Sequence, residues 1–283
     1  MNIICVVPLQ DKSGEITANL SQSRGASLRL QIYPAMIAAK KLGHTFKAFS
    51  IRTLGDVESL LENHKVDLLI IGKISGSNEQ TIYSYSQSIN SLIKRTTETG
   101  GKVCIFYSDN LLESPFTQSR ILHKSILRIA NYTITPTKIM AEFCSPYLSA
   151  TNQNFIIEDP CTLKRQKFKT IFNQKLIRIA WFGHESNISF LIELLPDILS
   201  KLSPHLKYEI ALLTSNNGIT IATNFIKKII RSTHGNFKFK LITWTPKAQP
   251  QQLEDFLGKS HISIIPSCPN NKRKKGASHN RAV

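Results

Sequence analysis

The stretch LIRIAWFGHESN, residues 176–187, decides how the chain is organised. It opens as an apolar run of strand length, is broken by Gly183, and continues into a polar turn. An amphipathic stretch of helix length, NISFLIELLPDILSKLS (187–203), follows despite Pro196. Strand, glycine turn and helix in that order open a βα unit. Immediately before lies CTLKRQKFKTIFNQK (161–175), basic and weakly patterned, which reads as an interdomain linker. A second α/β domain therefore begins at residue 176, and the question passes to the 160 residues that precede the linker.

Those residues carry the same alternation. NIICVVP (2–8), HTFKAFSI (44–51), KVDLLIIGK (65–73), GKVCIFYSDN (101–110), NYTITPT (131–137) and NFIIEDP (154–160) read as strands. Between them, 26–43, 53–64, 78–100, 120–130 and 138–149 read as helices, the first closed by Gly43. After residue 187 the rhythm runs through a strand at 206–215, a helix at 219–233, a strand at 236–244, a short helix at 249–260 and a strand at 261–267. Repeated βα units imply parallel sheets covered on both faces, joined by right-handed crossovers. The fold class is α/β, with two Rossmann-like domains: 1–160, a linker 161–175, and 176–283. The last is read as cut short after about four strands, and its basic tail NKRKKGASHNRAV (271–283) is either a frayed end or a helix start at Ser278 that then stops.

Composition narrows the function classes. The chain has 283 residues and 41% hydrophobic content, enough for ordinary cores. Its apolar runs are strand-length, well short of the roughly 20 residues of a membrane span. MNIICVVPLQDK has no basic segment before its apolar run and reads as a first strand rather than a leader. Cys5, Cys104, Cys144, Cys161 and Cys268 are scattered, odd in number and never spaced CxxC. That points to a reducing compartment, the cytoplasm, and to no metal site. With 36 Lys+Arg against 19 Asp+Glu the formal charge is +17, which favours anionic partners and makes peripheral contact with an anionic membrane at its inner face an expectation. No specific nucleic-acid binding is expected, since no helix-turn-helix, zinc finger or aromatic-basic interleaving accompanies the charge. No GxSxG elbow and no P-loop are present.

Several segments, in order, resemble GT-B glycosyltransferases. LRLQIYPAMIAAKKLGH is similar to their first helix and its Leu-Gly-His turn, and VDLLIIGK to their third strand. GGKVCIFYSDN resembles the strand that ends in an Asp-rich loop, ANYTITPTKIMAEF the family segment commonly read as ad-x-vtvpS-x-x-la-x-f, and NFIIEDP the strand and turn leading to the interdomain hinge. RIAWFGHESN resembles the opening of the second domain, and SHISIIP with KKGASHNRAV resembles its last strand and donor loop. The resemblance implies a metal-independent transfer from a nucleotide-sugar donor, used as co-substrate with no further cofactor, to an acceptor it does not identify. It also implies that the tail is a donor-site loop whose helix has been removed, with activity impaired accordingly.

On that basis candidate residues carry roles beside plainer readings. Asp109, ending a strand, is the candidate base for an acceptor hydroxyl, or else an Asx turn. Gly183 allows close approach of a diphosphate, or simply makes a tight turn. Lys275, Ser278, Asn280 and Arg281 form the candidate donor-binding loop, or a basic tail. Arg24, Gly25 and Arg29, at the first crossover, are candidates for acceptor or phosphate contact, or solvated surface residues. Gly25, Asp109, Gly183 and Lys275 are expected around one cleft. His123 and His184 have no visible partner and read as structural. The rival function is a non-catalytic remnant or binding module that uses the basic surface for an anionic lipid or polysaccharide precursor.

Overall fold

The structure is a computed structural model that describes residues 1–9, 13–17, 20, 27–74, 76, 78–158, 175–232, 237–245 and 251–265. The described residues fall into two compact units divided between residues 158 and 175.

The first unit is built on a seven-stranded sheet in the order β2-β3-β1-β4-β5-β6-β7. Its strands are β1 (Asn2–Val6), β2 (Gly14–Glu15), β3 (Thr45–Ser50), β4 (Leu68–Ile71), β5 (Lys102–Phe106), β6 (Tyr132–Thr135) and β7 (Gln153–Ile156). All neighbours pair in parallel except β2, a two-residue antiparallel edge on β3 that the apolar pattern does not announce. In β1, Ile3 through Val6 are all buried, as a strand covered on both faces requires.

Helices α2 (Leu54–Asn63), α3 (Glu79–Glu98), α4 (Thr117–Ile129) and α5 (Lys138–Cys144) send their buried side chains into one core with Ile4, Val6, Leu69, Ile71, Val103 and Ile105. The opposite face carries α1 (Tyr33–Lys41), packed on Ile3, Cys5, Val7, Phe46 and Ile70. A π-helical turn, Leu28–Ile32, precedes α1, and Pro34, with no N–H to offer, stands at the join. Gly43 closes α1 at φ +74°, the left-handed conformation that ends a helix cheaply only for glycine. Thr53, Asn78 and Thr137 cap α2, α3 and α5 with their own side chains. Helix α4 has Phe116 at that position and no cap of its own. Instead the Glu79 carboxylate accepts from the N–H groups of Thr117 (2.7 Å) and Gln118 (3.0 Å), tying α3 to the start of α4.

The second unit has a parallel four-stranded sheet in the order β10-β9-β8-β11. Its strands are β8 (Leu176–Phe182), β9 (Lys207–Thr214), β10 (Phe237–Thr243) and β11 (Ile262–Ser263). Helices α6 (Ile188–Ser200) and α7 (Asn216–Ser232) follow β8 and β9, and α8 (Gln251–Gly258) precedes β11. Helix α6 runs through Pro196, one backbone bond short, because Leu191, Leu195 and Leu199 anchor it to the core of Ile179, Trp181, Ile210 and Leu212. The other face packs Phe256 of α8 on Ala180, Ala211 and Leu213. Cys5, Cys104 and Cys144 are buried free thiols, as the apolar surroundings of the first two imply. Burial raises all three, Cys104 and Cys144 to about 12.

Candidate active site

In open parallel sheets ligands bind beyond the carboxyl ends of the strands, near the point where the strand order reverses. In the first unit the order reverses between β1 and β4. There Gly72 donates its N–H to Val6 O (2.9 Å). A Cβ on Gly72 would lie 3.2 Å from Val7 Cγ2 and 3.3 Å from both Ile32 Cδ1 and Val6 O, so glycine lets the strand end close against β1. The next residue, Lys73, is ion-paired with Asp109 Oδ2, which follows the neighbouring strand β5. Their side chains are 29% and 24% exposed, so the pair faces solvent at the sheet's carboxyl edge without being free surface.

The loop that carries Asp109 is braced. Tyr107, buried, accepts the Leu112 N–H on its hydroxyl (2.8 Å), and its own N–H bonds to Ile134 O (2.8 Å). Burial pushes its phenol well up, so it acts as a neutral hydrogen-bonding group. The Arg120 guanidinium donates to Ser114 O (2.6 Å) and Thr117 Oγ1 (2.9 Å), fixing the end of the same loop to α4. Beneath it His123 is 2% exposed, donates from Nδ1 to Ser119 O (2.7 Å) and packs edge-on to the Tyr107 ring at 5.9 Å. Burial, helped by the charge of Lys73, lowers its pKa to about 4, so it is a neutral core histidine.

Arg29 sits half-buried in the π-helical turn before α1, where burial lowers its guanidinium below the ordinary value without uncharging it. Arg24 and Gly25 lie outside the described residues, as do Lys275, Ser278, Asn280 and Arg281.

In the second unit Gly183 follows β8 and donates to Leu213 O (3.1 Å). A Cβ there would meet Trp181 ring carbons at 3.0, 3.4 and 3.6 Å, so the missing side chain makes room for the indole. His184 accepts from the Ser186 N–H (3.2 Å) and caps the short turn Glu185–Asn187. Glu185 takes the Ser215 hydroxyl and the Asn217 amide (3.3 Å), which together hold its carboxyl below the ordinary value and tie the end of β8 to the start of α7. At that start a Cβ on Gly218 would lie 2.4 Å from Thr214 Oγ1, so the first turn of α7 also depends on a glycine.

Asp109 is legible as a candidate in the sequence, whereas Lys73, Tyr107 and Arg120 are not. Lys73 was visible in IIGK at a strand end, but its meaning comes from a partner on another strand. Glu79 and Glu185 gave no local signal, since each acts on an element distant in sequence.

No family model and no curated protein matches the chain. Solved structures do. An alpha-glucosyltransferase in complex with UDP-glucose and DNA containing an abasic site is 14% identical, with 93% of this chain and 71% of that one covered and a TM-score of 0.52. The lipopolysaccharide outer core galactosyltransferase WaaB is 8% identical over 93% of this chain and 73% of its own, at 0.54. The UDP-GlcNAc 2-epimerase of Methanocaldococcus jannaschii is 9% identical over 87% and 75%, at 0.50. Likeness at this identity is likeness of fold, and an epimerase among the neighbours means that the fold alone does not choose the reaction. With two Rossmann-like, mainly parallel sheets along one chain, and solved folds that cover 93% of it, the protein has the GT-B fold.

Proposed function

We propose that the chain transfers a sugar from a nucleotide-activated donor to an acceptor hydroxyl, with the first unit serving the acceptor and the second the donor. The observation that carries this reading is Asp109, ion-paired with Lys73 on a braced loop at the carboxyl edge of the first sheet. The glycosyltransferases that share the fold support it. In an inverting transfer the acceptor oxygen bonds to the anomeric carbon while the bond from that carbon to the diphosphate breaks. The electron pair leaves with the nucleoside diphosphate, and the acceptor proton passes to Asp109. On taking the proton Asp109 loses its charge and its hold on Lys73, so proton transfer is coupled to opening of the ion pair. Donor contact is assigned to Gly183, Lys275, Ser278, Asn280 and Arg281, and acceptor or phosphate contact to Arg24, Gly25 and Arg29.

A calorimetric titration of the whole chain with UDP, ADP and GDP and their sugars tests the donor assignment. One nucleotide series is expected to bind, and to bind equally in Lys73→Met, whose turnover falls. Loss of nucleotide binding in that variant would contradict the acceptor-side role of Lys73. Failure of every nucleotide to bind would favour a second reading, in which the +17 charge serves a binding module for an anionic lipid or polysaccharide precursor and contact with an anionic membrane is the function itself.

A further inference from the structure

The α1 face of the first sheet is only partly covered by α1. Beyond Cys104 the apolar residues on this side are less protected: Tyr132 and Ile134 are half-buried, and Phe155 and Ile157 are 45% and 56% exposed. Between α1 and the carboxyl ends of β5, β6 and β7 lies a cavity of about 320 Å³. Leu30, Ala35 and Ala38 line its helical wall, and Phe106, Ile134 and Ile157 its sheet wall. Three polar residues, Gln31, Ser108 and Glu158, also line it, and among the described residues no lysine or arginine does.

Three features bear on what this space takes. Its volume falls at the lower end of the range for small-molecule sites, which are mostly apolar with a few polar groups that fix orientation. A protein partner would instead need roughly 800 Å² of contact on this side. The lining disfavours the anionic part of a donor, because a carboxylate faces it and, among the described residues, no cation does. It is also continuous in the chain with the candidate base: Ser108 lines it and Asp109 is the next residue. One wall begins in the π-helical turn that contributes Leu30, a distortion frequent at functional sites.

We propose that this cavity is the apolar subsite for the acceptor, holding an uncharged alkyl or aryl group of an alcohol whose hydroxyl end lies at Ser108, beside Asp109. The proposal rests on the glycosyltransferase reading for the word acceptor, but the binding it asserts needs no donor.

The test uses the whole chain and Nile red fluorescence, with n-octanol, 2-naphthol and inorganic phosphate as competitors. The two alcohols distinguish an alkyl from an aryl occupant, and displacement by either supports the site. Ala35→Trp fills the cavity from a half-buried position and is expected to weaken alcohol displacement at least tenfold. Ile157→Ser trims an exposed wall without touching the core and is expected to weaken it about threefold, which keeps the test valid if Ala35→Trp fails to fold. Unchanged displacement in Ile157→Ser and in folded Ala35→Trp overturns the proposal, as does displacement by phosphate that matches the alcohols. Loss of the glycosyltransferase reading shows separately, as alcohol binding that persists in a chain that binds no nucleotide sugar.

Discussion

His123→Phe should remove a specific part of the protein's acid sensitivity. In the folded chain His123 is buried against Tyr107, close enough to Lys73 to feel its charge, and its pKa is lowered to about 4. The unfolded chain protonates the same ring near its ordinary value of about 6.5. The sign follows from linkage: above that value both states are neutral and no penalty exists. Below it the unfolded chain takes up a proton that the folded chain refuses, so stability falls until the folded ring also protonates near 4. The full difference corresponds to about 3 kcal/mol, of which about 2 kcal/mol is lost between pH 7.5 and pH 5. Phenylalanine keeps the aromatic edge on Tyr107 and does not titrate. Urea unfolding at the two pH values, followed by circular dichroism, should show the wild type losing about 2 kcal/mol more than the variant. Equal losses in the two proteins would refute the reasoning, because carboxylates elsewhere titrate in both.

Two further outcomes follow from the same residues and charges. Glu79→Ala leaves the start of α4 without its cap and should destabilise the chain by about 1 kcal/mol in the same unfolding assay, with Glu79→Gln, which keeps an acceptor oxygen, in between; an unchanged midpoint would contradict the trans-cap. The +17 charge should give co-sedimentation with anionic vesicles at low salt that fades as screening shortens to about 10 Å near 0.1 M, and no co-sedimentation at low salt would assign the charge to composition alone.

Much of the fold was legible because burial on both faces writes itself into a parallel strand. Runs such as LLII in β4 and LIRIAWF in β8 need no context to be read. Strand β2 was not legible: two residues, Gly14 and Glu15, both exposed, hold an antiparallel edge through backbone bonds that leave no apolar pattern. The strand read across 261–267 is Ile262–Ser263 among the described residues. At the site, an aspartate closing the apolar run GKVCIFYSDN was a local signal, although β5 ends at Phe106 and Asp109 stands in the loop beyond it, whereas Lys73 acquires its meaning from the ion pair and Arg120 from the oxygens it holds. The apolar cavity is assembled from one helix and three strand ends, so no window of sequence contains it. The rest of the candidate set, Arg24, Gly25, Lys275, Ser278, Asn280 and Arg281, falls outside the described residues.

The most direct measurement is nucleotide release from a panel of UDP-, ADP- and GDP-sugars, with alkyl and aryl alcohols as acceptors. Sugar transfer assisted by Asp109 predicts acceptor-dependent release from one donor series, falling on the order of a hundredfold or more in Asp109→Asn. Release that persists undiminished in that variant, or no release from any donor, would contradict it.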